Sequence, residues 1–307
     1  MGLSPGLALL AAEVGDHGPV EVVGGGTRGP VGGPVSAGAR PVRAPGGVRD
    51  HRPRELVVVV GAGTPIEELD RHLAAHGQRC ALWGPPGATV GGAVATAHAG
   101  PCARGDGPAR DAVLGLRGVD ARGRVVTAGG ATVKNVAGFD LCRLFTGSLG
   151  TLVVLAELTL RTQPVPEHEE WVCGPAAPAE VDRAAPDAAA VLWDGTTVWA
   201  GLRGHPADVA EARRDLARLG CGDPADGPPP LPPHRWSVGP GPDPTCRPPG
   251  PFVLEVGVGV LHTTGPAPPR PVPRRLWDLH VAVKDRFDPD SRLNPGRSPL
   301  NGAVPVP

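Results

Sequence analysis

The sequence predicts an α+β fold with a larger first domain and a smaller second one. A chain of 307 residues is long enough for two domains. Residues 55–160 alternate strand and helix patterns between glycine turns, and the second half carries the hairpin, helix and strand pattern of a small antiparallel layer. We therefore predict a first domain over 1–165, a second over 166–273 and a final segment over 274–307.

Glycine and proline are unusually frequent in this chain, with 46 and 40 residues respectively. Such a content without periodicity is typical of disordered proteins. The two residue types are concentrated in residues 1–50 and 223–273, however, so the remainder of the chain is free to form a packed core. Residues 227–251 are the most proline-rich stretch, and we expect an exposed loop or a disordered linker there.

Charge and cysteine usage exclude several classes of function. The formal net charge is −1 and no basic stripe is present, which argues against a nucleic-acid partner. The six cysteines are far apart without a CxxC pair, so we expect neither an iron–sulfur nor a zinc site and a reducing, cytoplasmic location. No apolar run approaches 18 residues, which predicts neither a signal peptide nor a membrane span.

The first domain contains well-marked strands and one well-marked helix. Pro19–Val23 has a strand composition, and Leu56–Val60 is a continuous apolar run typical of a strand buried on both faces. For the helix that follows, we predict Thr64 as N-cap, Pro65 at the first helical position and Glu67 as the partner in a capping box. The helix should end at Gly77.

The rest of the first domain is predicted to contain a hairpin, a short helix and a strand. Residues 112–119 and 124–128 flank Asp120–Gly123 and should form a hairpin, and 140–145 should form a short helix. Residues 151–161 alternate apolar and polar side chains, which predicts a half-buried strand.

The second half of the chain carries weaker patterns. Asp194–Gly195 is the turn of a possible hairpin, residues 206–219 have a helical pattern, and 252–260 have the pattern of one strand. Leu276, Leu279, Val283 and Phe287 mark one face of a last helix, which ends at Asp288-Pro289.

Three glycine loops are the main candidates for a binding site. Gly24–Thr27, Gly84–Thr89 and Gly147–Thr151 can each present clustered backbone N–H groups to an anion such as a pyrophosphate, without any charged side chain. The second loop leads into residues 90–97, whose small side chains permit close backbone approach. None fits GxGxxG or GxxxxGK[ST], so a nicotinamide Rossmann domain and a Walker-type ATPase are disfavoured.

The order of these segments carries a family resemblance. VVGGGT at 22–27, GATVGGA at 87–93, KNVAGFDL at 134–141 and GSLGTL at 147–152 together resemble the FAD-binding domain of the vanillyl-alcohol oxidase and p-cresol methylhydroxylase (PCMH) superfamily. Within it, KNVAGFDL is most similar to the FAD-binding subunits of bacterial glycolate oxidases. Residues 286–297 resemble the closing motif of the same family.

The resemblance implies a two-subdomain, PCMH-type FAD-binding domain followed by a small, reduced α+β cap, with the segment 274–307 returning to the FAD domain. It places the pyrophosphate against the first two glycine loops and the adenosine half near residues 147–154. The residues that it implies for FAD binding are Gly24, Gly25, Gly26, Thr27, Pro86, Thr89, Val90, Gly91, Gly92, Thr96, Gly100, Gly147, Ser148, Gly150, Thr151 and Val154. Because Thr27-Arg28-Gly29 contains neither His nor Cys, we expect FAD to be bound non-covalently.

Some positions depart from the family pattern. Val153 stands where family members commonly carry glycine, and its side chain either crowds the flavin or packs outward. His98 replaces a small polar residue. Lys134 and Asn135 either contact the cofactor or stabilise their loop, and the six tryptophans are interpreted as core or interface residues.

No catalytic residue is predicted. Catalytic subunits of related glycolate and D-lactate dehydrogenases carry a His-rich motif in the cap, and this sequence lacks it. His262 either points into a cavity near the flavin or is structural. His72 and His76 form the one helical i, i+4 histidine pair and are interpreted as a solvated helix face, so no metal site is predicted.

The resemblance implies an FAD-dependent subunit in the oxidation of a 2-hydroxy acid, glycolate to glyoxylate. Its expected partners are a catalytic flavin subunit and an iron–sulfur subunit, and its expected location is the cytoplasm, with membrane association through those partners left open. Two alternatives are a self-sufficient FAD oxidoreductase and a non-catalytic assembly subunit that has lost flavin.

Overall fold

The computed structural model describes residues 4–29, 31–130, 139–239 and 248–306. It confirms the α+β class, with antiparallel sheets predominating. Two compact units form: the first comprises the chain up to Ala99, Pro108–Pro164 and Pro271 onward, and the second comprises Gly100–Gly107 and Val165–Arg270.

The elements are numbered in chain order. The helices are α1 Pro5–Val14, α2 Ile66–Ala74, α3 Val90–Ala95, α4 Ala103–Asp106, α5 Ala109–Ala112, α6 Leu141–Phe145, α7 Pro178–Ala184, α8 Pro206–Arg218 and α9 Arg274–Phe287. The strands are β1 Val20–Val22, β2 Arg40–Val42, β3 Val48–Arg52, β4 Val57–Gly61, β5 Gln78–Cys80, β6 Val113–Val119, β7 Val125–Gly129, β8 Val154–Pro164, β9 His168–Gly174, β10 Ala190–Trp193, β11 Val198–Gly204, β12 Asp223–Ala225, β13 His234–Ser237, β14 Phe252–Glu255, β15 Val260–Thr263, β16 Arg270–Pro273 and β17 Ala303–Val306. Each helix among these described residues is too short or too polar to span a bilayer.

The N-terminal part of the first unit is a small layer around β1. This strand pairs in parallel with β2, and α1 packs against the pair through Leu7, Leu10 and Val14. Leu293, far along the chain, is buried in the same cluster and forms a bridge to Val20. The first glycine loop therefore begins at the end of a strand that is held on both sides.

The second part of the first unit is a six-stranded sheet with the order β3-β4-β8-β6-β7 and with β5 also paired to β8. The predicted strand after Leu56 is confirmed as β4, and the predicted hairpin is confirmed as β6 and β7 with Gly123 at φ +72° in its turn. The strand predicted over 151–161 is confirmed as β8, and its alternation holds in the second half, where Leu158 and Leu160 are buried and Arg161 is exposed. Glu157 departs from this pattern: it is buried and forms an ion pair with Arg117 (3.5 Å), so both faces are covered at the start of the strand.

The start of α2 differs from the predicted capping box. Pro65, not Thr64, is the N-cap, and the helix starts at Ile66. The Thr64 hydroxyl donates to the carbonyl of Gly61 (2.7 Å) and accepts from the N–H of Gly47 (2.8 Å), so it stabilises the loop before the helix. The Glu67 carboxylate binds another segment, described below with the site.

The second unit is built on a seven-stranded sheet with the order β12-β9-β11-β10-β14-β15-β13. The hairpin at Asp194–Gly195 is confirmed as β10 and β11, and α7 and α8 bury Val181, Val209 and Leu216 against the sheet. The prediction of a single strand over 252–260 is wrong. The glycines at 257 and 259 adopt positive φ, and the chain turns there to form the antiparallel pair β14 and β15.

A prediction for the proline-rich stretch fails in part. The predicted loop or linker over 227–251 contains β13, which pairs with β15, so part of this stretch is ordered; residues 240–247 lie outside the described ranges.

The predicted last helix is confirmed as α9. Its apolar face is covered at one end only. Leu276 and Leu279 are 43% and 56% exposed, whereas Phe287 is half-buried and its ring lies 5.5 Å from that of Phe145.

Candidate functional site

A cleft in the first unit brings together most of the predicted glycine positions. Its walls are the first glycine loop, the segment from Trp83 to α3, the turn at Leu149–Gly150 and the closing segment of the chain. The predicted residues that line it are Gly24, Gly25, Gly26, Thr27, Thr89, Gly91, Gly92, Thr96 and Gly150. The cleft is thus formed by segments that are distant in the sequence.

The first glycine loop supplies the unused backbone donors of the cleft. The N–H of Val23 still donates to the carbonyl of Val42 (2.9 Å). After it, the N–H groups of Gly24, Gly25, Gly26 and Thr27 donate no hydrogen bond to any part of the chain that the structure describes. Consecutive unpaired N–H groups in a turn form a concave anion-binding surface. This loop can therefore bind an anion by main-chain atoms alone.

Close backbone approach explains why this loop contains glycine. A Cβ on Gly25 would lie 1.8 Å from the carbonyl oxygen of Gly87, and a Cβ on Gly24 would lie 2.7 Å from Oγ1 of Thr89. In α3, a Cβ on Gly91 would lie 2.7 Å from Cβ of Ala62. Each of these distances is shorter than van der Waals contact permits. Larger residues at positions 24 and 25 would separate the two loops, and a larger residue at position 91 would displace α3 from Ala62.

The second glycine loop is held in place by side chains. The Glu67 carboxylate accepts a hydrogen bond from the N–H of Gly87 (2.7 Å), and this bond lowers the pKa of Glu67 below its usual value. The Thr89 hydroxyl caps α3 by accepting from the N–H of Gly92 (3.2 Å). The N–H of Gly91 donates to the carbonyl of Ala62 (2.7 Å). The second loop therefore forms a fixed wall of the cleft, and fewer of its backbone N–H groups are free to bind a ligand than in the first loop.

The third glycine loop uses its N–H groups internally. Those of Gly147 and Leu149 donate to the carbonyls of Val94 and Ala95 (both 2.9 Å), that of Ser148 donates to the end of α6, and that of Thr151 donates within the loop. Gly150 lines the cleft with φ +68°, and its close neighbour is the side-chain amide of Asn294. This loop therefore forms a wall of the cleft, and most of its N–H groups are already hydrogen-bonded to protein carbonyls.

Asn294 of the closing segment joins the end of β1, just before the first loop, to the third loop. Its Oδ1 accepts from the N–H of Val22 (2.7 Å), and its Nδ2 donates to the carbonyl of Leu149 (2.8 Å). Its side chain is buried, and Asp288 holds the segment by accepting from the N–H groups of Arg292 and Leu293. The candidate residues predicted from the sequence did not include Asn294, although the LNPG run around it is part of the closing motif.

A cationic and aromatic cluster in the cleft was also missed. Arg28 Nη2 donates to Nε2 of His98 (2.7 Å), and its guanidinium lies 6.0 Å from the centre of the Trp83 ring. The rings of Trp83 and His98 are 4.9 Å apart, and both residues line the cleft, so the structure places Trp83 at the cleft and not in the core. Arg297 lines the cleft as a second cation. Two signals in the sequence point to this cluster: His98 departs from the family pattern, and Arg28 follows GGGT directly.

Several predicted residues lie outside the cleft lining. In the first unit these are Pro86, Val90, Gly147, Ser148, Thr151 and Val154, and Gly100 belongs to the second unit. Val153 is 1% exposed and does not line the cleft. Its γ2 methyl would lie 2.7 Å from a Cβ on Gly118, so of the two predicted orientations the structure has the outward one, toward β6.

The remaining candidates fall elsewhere. His262 is buried in β15 of the second unit, where its Nε2 lies 2.6 Å from Oε1 of the equally buried Glu255. Lys134 and Asn135 lie outside the described residues, as does most of KNVAGFDL. The histidine pair of α2 does not line the cleft.

Comparison with known proteins identifies an FAD-binding domain. Residues 9–129 match a family model described as an FAD binding domain. The chain is 36% identical over 163 residues to glycolate oxidase subunit GlcE of Escherichia coli, covering 52% of this chain and 47% of that protein. It is 40% identical over 114 residues to a mitochondrial D-lactate dehydrogenase (cytochrome) of Arabidopsis thaliana, covering 37% and 20%. The chain thus spans less than half the length of these curated relatives.

A second glycolate oxidase relative and a solved structure extend the comparison. Glycolate oxidase subunit GlcD of Bacillus subtilis is 45% identical over 64 residues, 21% of this chain and 14% of that protein. The structure of an alkyldihydroxyacetonephosphate synthase shares the fold with a TM-score of 0.57 at 18% identity, covering 72% of this chain and 50% of the other. The family match over residues 9–129 and these relatives show that the chain contains an FAD-binding domain.

Proposed function

We propose that this chain binds FAD non-covalently and acts as the FAD-binding subunit, of the GlcE type, in a multi-subunit oxidoreductase that resembles glycolate oxidase. The reaction is the oxidation of a 2-hydroxy acid, glycolate to glyoxylate. The observation that carries the proposal is the set of four unused N–H groups at Gly24–Thr27, pressed against the second glycine loop. The names of the relatives supply the substrate class, since one of them is a glycolate oxidase subunit of the same type.

The cleft residues fit the parts of FAD. The pyrophosphate lies against the N–H groups of the first loop, and Arg28 and Arg297 offset its negative charge. The Cβ-free surfaces of Gly24 and Gly91 keep the walls narrow, and the turn at Leu149–Gly150 borders the adenosine half. When bound, the isoalloxazine ring of FAD accepts two electrons from a reduced substrate or partner. The protein's part is binding, orientation and exclusion of water.

A non-covalent attachment agrees with the residues at the first loop. Thr27, Arg28 and Gly29 provide no thiol or imidazole for a bond to the flavin. His98 lines the cleft, but its Nε2 accepts a hydrogen bond from Arg28, and its ring packs against Trp83. We therefore expect all flavin to leave the protein on acid precipitation.

The proposed partners are a catalytic flavin subunit and an iron–sulfur subunit, and the proposed location is the cytoplasm, with membrane association through those partners. Similarity to both a GlcE and a GlcD subunit of glycolate oxidases supports assembly with a second flavoprotein. The outward orientation of Val153 removes one reason to infer a flavin-free assembly subunit.

The test is a visible absorbance spectrum of the purified chain, expressed alone and together with the two partner subunits, before and after incubation with FAD and desalting. Oxidised-flavin bands that follow the protein, that disappear into the supernatant on acid precipitation and that bleach with glycolate under anaerobic conditions in the complex would support the proposal. A colourless protein in both preparations would overturn it in favour of the assembly role. Bleaching by glycolate without partners would identify a self-sufficient oxidoreductase instead.

A further inference from the structure

Three histidines converge on one side of the first unit, and none of them lines the cleft. His51 lies on β3, while His72 and His76 lie one turn apart on α2 and directly after it. The ring centroids are 5.0 Å apart for His51–His72, 4.7 Å for His51–His76 and 5.2 Å for His72–His76. One possible ligand nitrogen from each residue lies within 4.8 Å of the other two. The pair seen in the sequence is thus completed by a residue about twenty positions earlier.

A fixed amide determines which nitrogen of His51 is free. Nε2 of Gln78 donates to the carbonyl of Pro53 (2.8 Å), and its Oε1 accepts from the hydroxyl of Thr162 (2.8 Å), which orients the amide. The same Oε1 lies 3.1 Å from Nε2 of His51 and is only an acceptor. His51 must therefore carry its proton on Nε2, which leaves the lone pair of Nδ1 for another partner.

The helix imposes a similar arrangement on His76. Its Nδ1 lies 3.0 Å from the main-chain carbonyl of His72, which can only accept, so the proton is on Nδ1 and Nε2 is unprotonated. Histidines that bind metals usually donate their other ring N–H to a carbonyl or carboxylate in this way, because the bond fixes both tautomer and ring orientation. Two of the three imidazoles are therefore already held in a metal-binding tautomer.

The spacing of the His51 and His72 nitrogens fits one shared ion. Nδ1 of His51 and Nε2 of His72 are 3.1 Å apart. Two nitrogens at about 2.05 Å from a tetrahedral zinc ion lie about 3.3 Å from each other. Without an ion, this contact is a hydrogen bond from His72 to His51. With a bound ion, neutral His72 would carry its proton on Nδ1, and the lone pairs of His51 Nδ1 and His72 Nε2 would both point at the metal.

We propose that Nδ1 of His51, Nε2 of His72 and Nε2 of His76 form a binding site for a divalent transition metal such as zinc, with the fourth position open to solvent. An all-imidazole set selects zinc, nickel or copper over magnesium and calcium, which prefer oxygen. The ion would connect β3 to α2 and so stabilise the first unit. Gln78 acts as a positioning residue through His51 and does not contact the ion. This proposal is independent of flavin binding.

The experiment measures zinc binding to the full chain, purified without a histidine tag, by calorimetry and by metal analysis after dialysis. The main variant is His76→Gln, because His76 is exposed and its loss leaves the core intact. We expect one zinc per chain in the wild type and binding weakened by about tenfold or more in His76→Gln and His72→Gln. The control His280→Gln, an exposed histidine on α9, should bind like the wild type.

Two further measurements separate a built site from surface adsorption. Zinc should raise the thermal midpoint of the wild type but not that of His76→Gln, because only a site present in the folded state stabilises it. Gln78→Glu, which keeps an acceptor for His51, should retain more affinity than Gln78→Met, which removes it. Equal zinc affinity in the wild type and His76→Gln, or no saturable binding in the wild type, would overturn the proposal.

Discussion

The first and third glycine loops look alike in the sequence but differ in how they use their backbone donors. Gly24–Thr27 directs four N–H groups away from the described part of the chain. In Gly147–Thr151, four of the five N–H groups donate to carbonyls of α3, α6 or the loop itself. Both loops border the same cleft, so position alone does not distinguish them.

The difference shows that glycine content marks a close approach or a special backbone angle, whereas a binding loop additionally needs donors without internal acceptors. The first loop follows strand β1, whose last pairing is with β2, and no described carbonyl beyond it accepts its N–H groups. The third loop ends at the buried strand β8 and is closed by the surrounding carbonyls. We infer that the first loop binds an anion and that the third loop supports the wall of the cleft.

The largest expected effect is that of Gly25→Ala in the first loop. The new methyl group would lie 1.8 Å from the carbonyl oxygen of Gly87, so the two loops must move apart. Overpacking of this kind costs about 1–3 kcal/mol, and at the upper end FAD affinity falls about a hundredfold. The measurement is FAD binding by fluorescence quenching, with thermal unfolding as a check of the fold.

Gly46→Ala is the matched control for this substitution. A Cβ on Gly46 would meet its nearest atoms, in Gly63 and Thr64, at 3.6 Å, an ordinary contact, and Gly46 does not line the cleft. Its FAD affinity should stay within about twofold of the wild type. If Gly25→Ala also bound FAD normally, the close contact of the two loops would not be needed for the cofactor.

The next effect concerns Asn294, the residue that connects the two loops. Asn294→Ala would leave the N–H of Val22 and the carbonyl of Leu149 without their partner. Each buried unsatisfied group costs about 1–3 kcal/mol, so for two groups we expect the free energy of unfolding to fall by about 2–6 kcal/mol. FAD affinity should fall as well, because both loops lose their mutual anchor.

Urea unfolding measures this change as a lower midpoint at constant slope. The exposed Asn301→Ala provides the comparison and should change stability by no more than about 0.5 kcal/mol. A midpoint for Asn294→Ala equal to that of Asn301→Ala would mean that the two loops are held together by other contacts.

The sequence predicted helices and strands better than it predicted the contacts between distant segments. Runs with strong local signals, such as β4 and the β6–β7 hairpin, were found because alternation and turn residues determine them locally. The α2 cap was misplaced because the Thr64 hydroxyl bonds to Gly61 and Gly47, which local propensity does not encode. The split of 252–260 into two strands was missed since an apolar run does not reveal its turn.

The same limit applies to the candidate site. The glycines of the first two loops were predictable because close approach restricts residue type at each position. Asn294, Arg28 and Trp83 were not, since their roles depend on segments that meet only in three dimensions. His51 was missed beside the α2 histidines for that reason too.

The smallest expected effect is that of Ser148→Ala in the third loop, and it tests the comparison most directly. The Ser148 hydroxyl is buried and donates to the carbonyl of Phe145 (2.8 Å). Its loss should lower the free energy of unfolding by about 1 kcal/mol, the usual contribution of one such hydrogen bond, while the main-chain N–H of Ser148 keeps its own bond to the same carbonyl. FAD affinity should stay within about twofold, because the hydroxyl does not line the cleft. Urea unfolding and an FAD titration of the same preparation separate the two roles. If the third loop only supports the cleft, Ser148→Ala lowers the free energy of unfolding and keeps the affinity for FAD. A loss of FAD affinity at unchanged stability would instead place Ser148 among the groups that bind FAD and make the two loops equivalent.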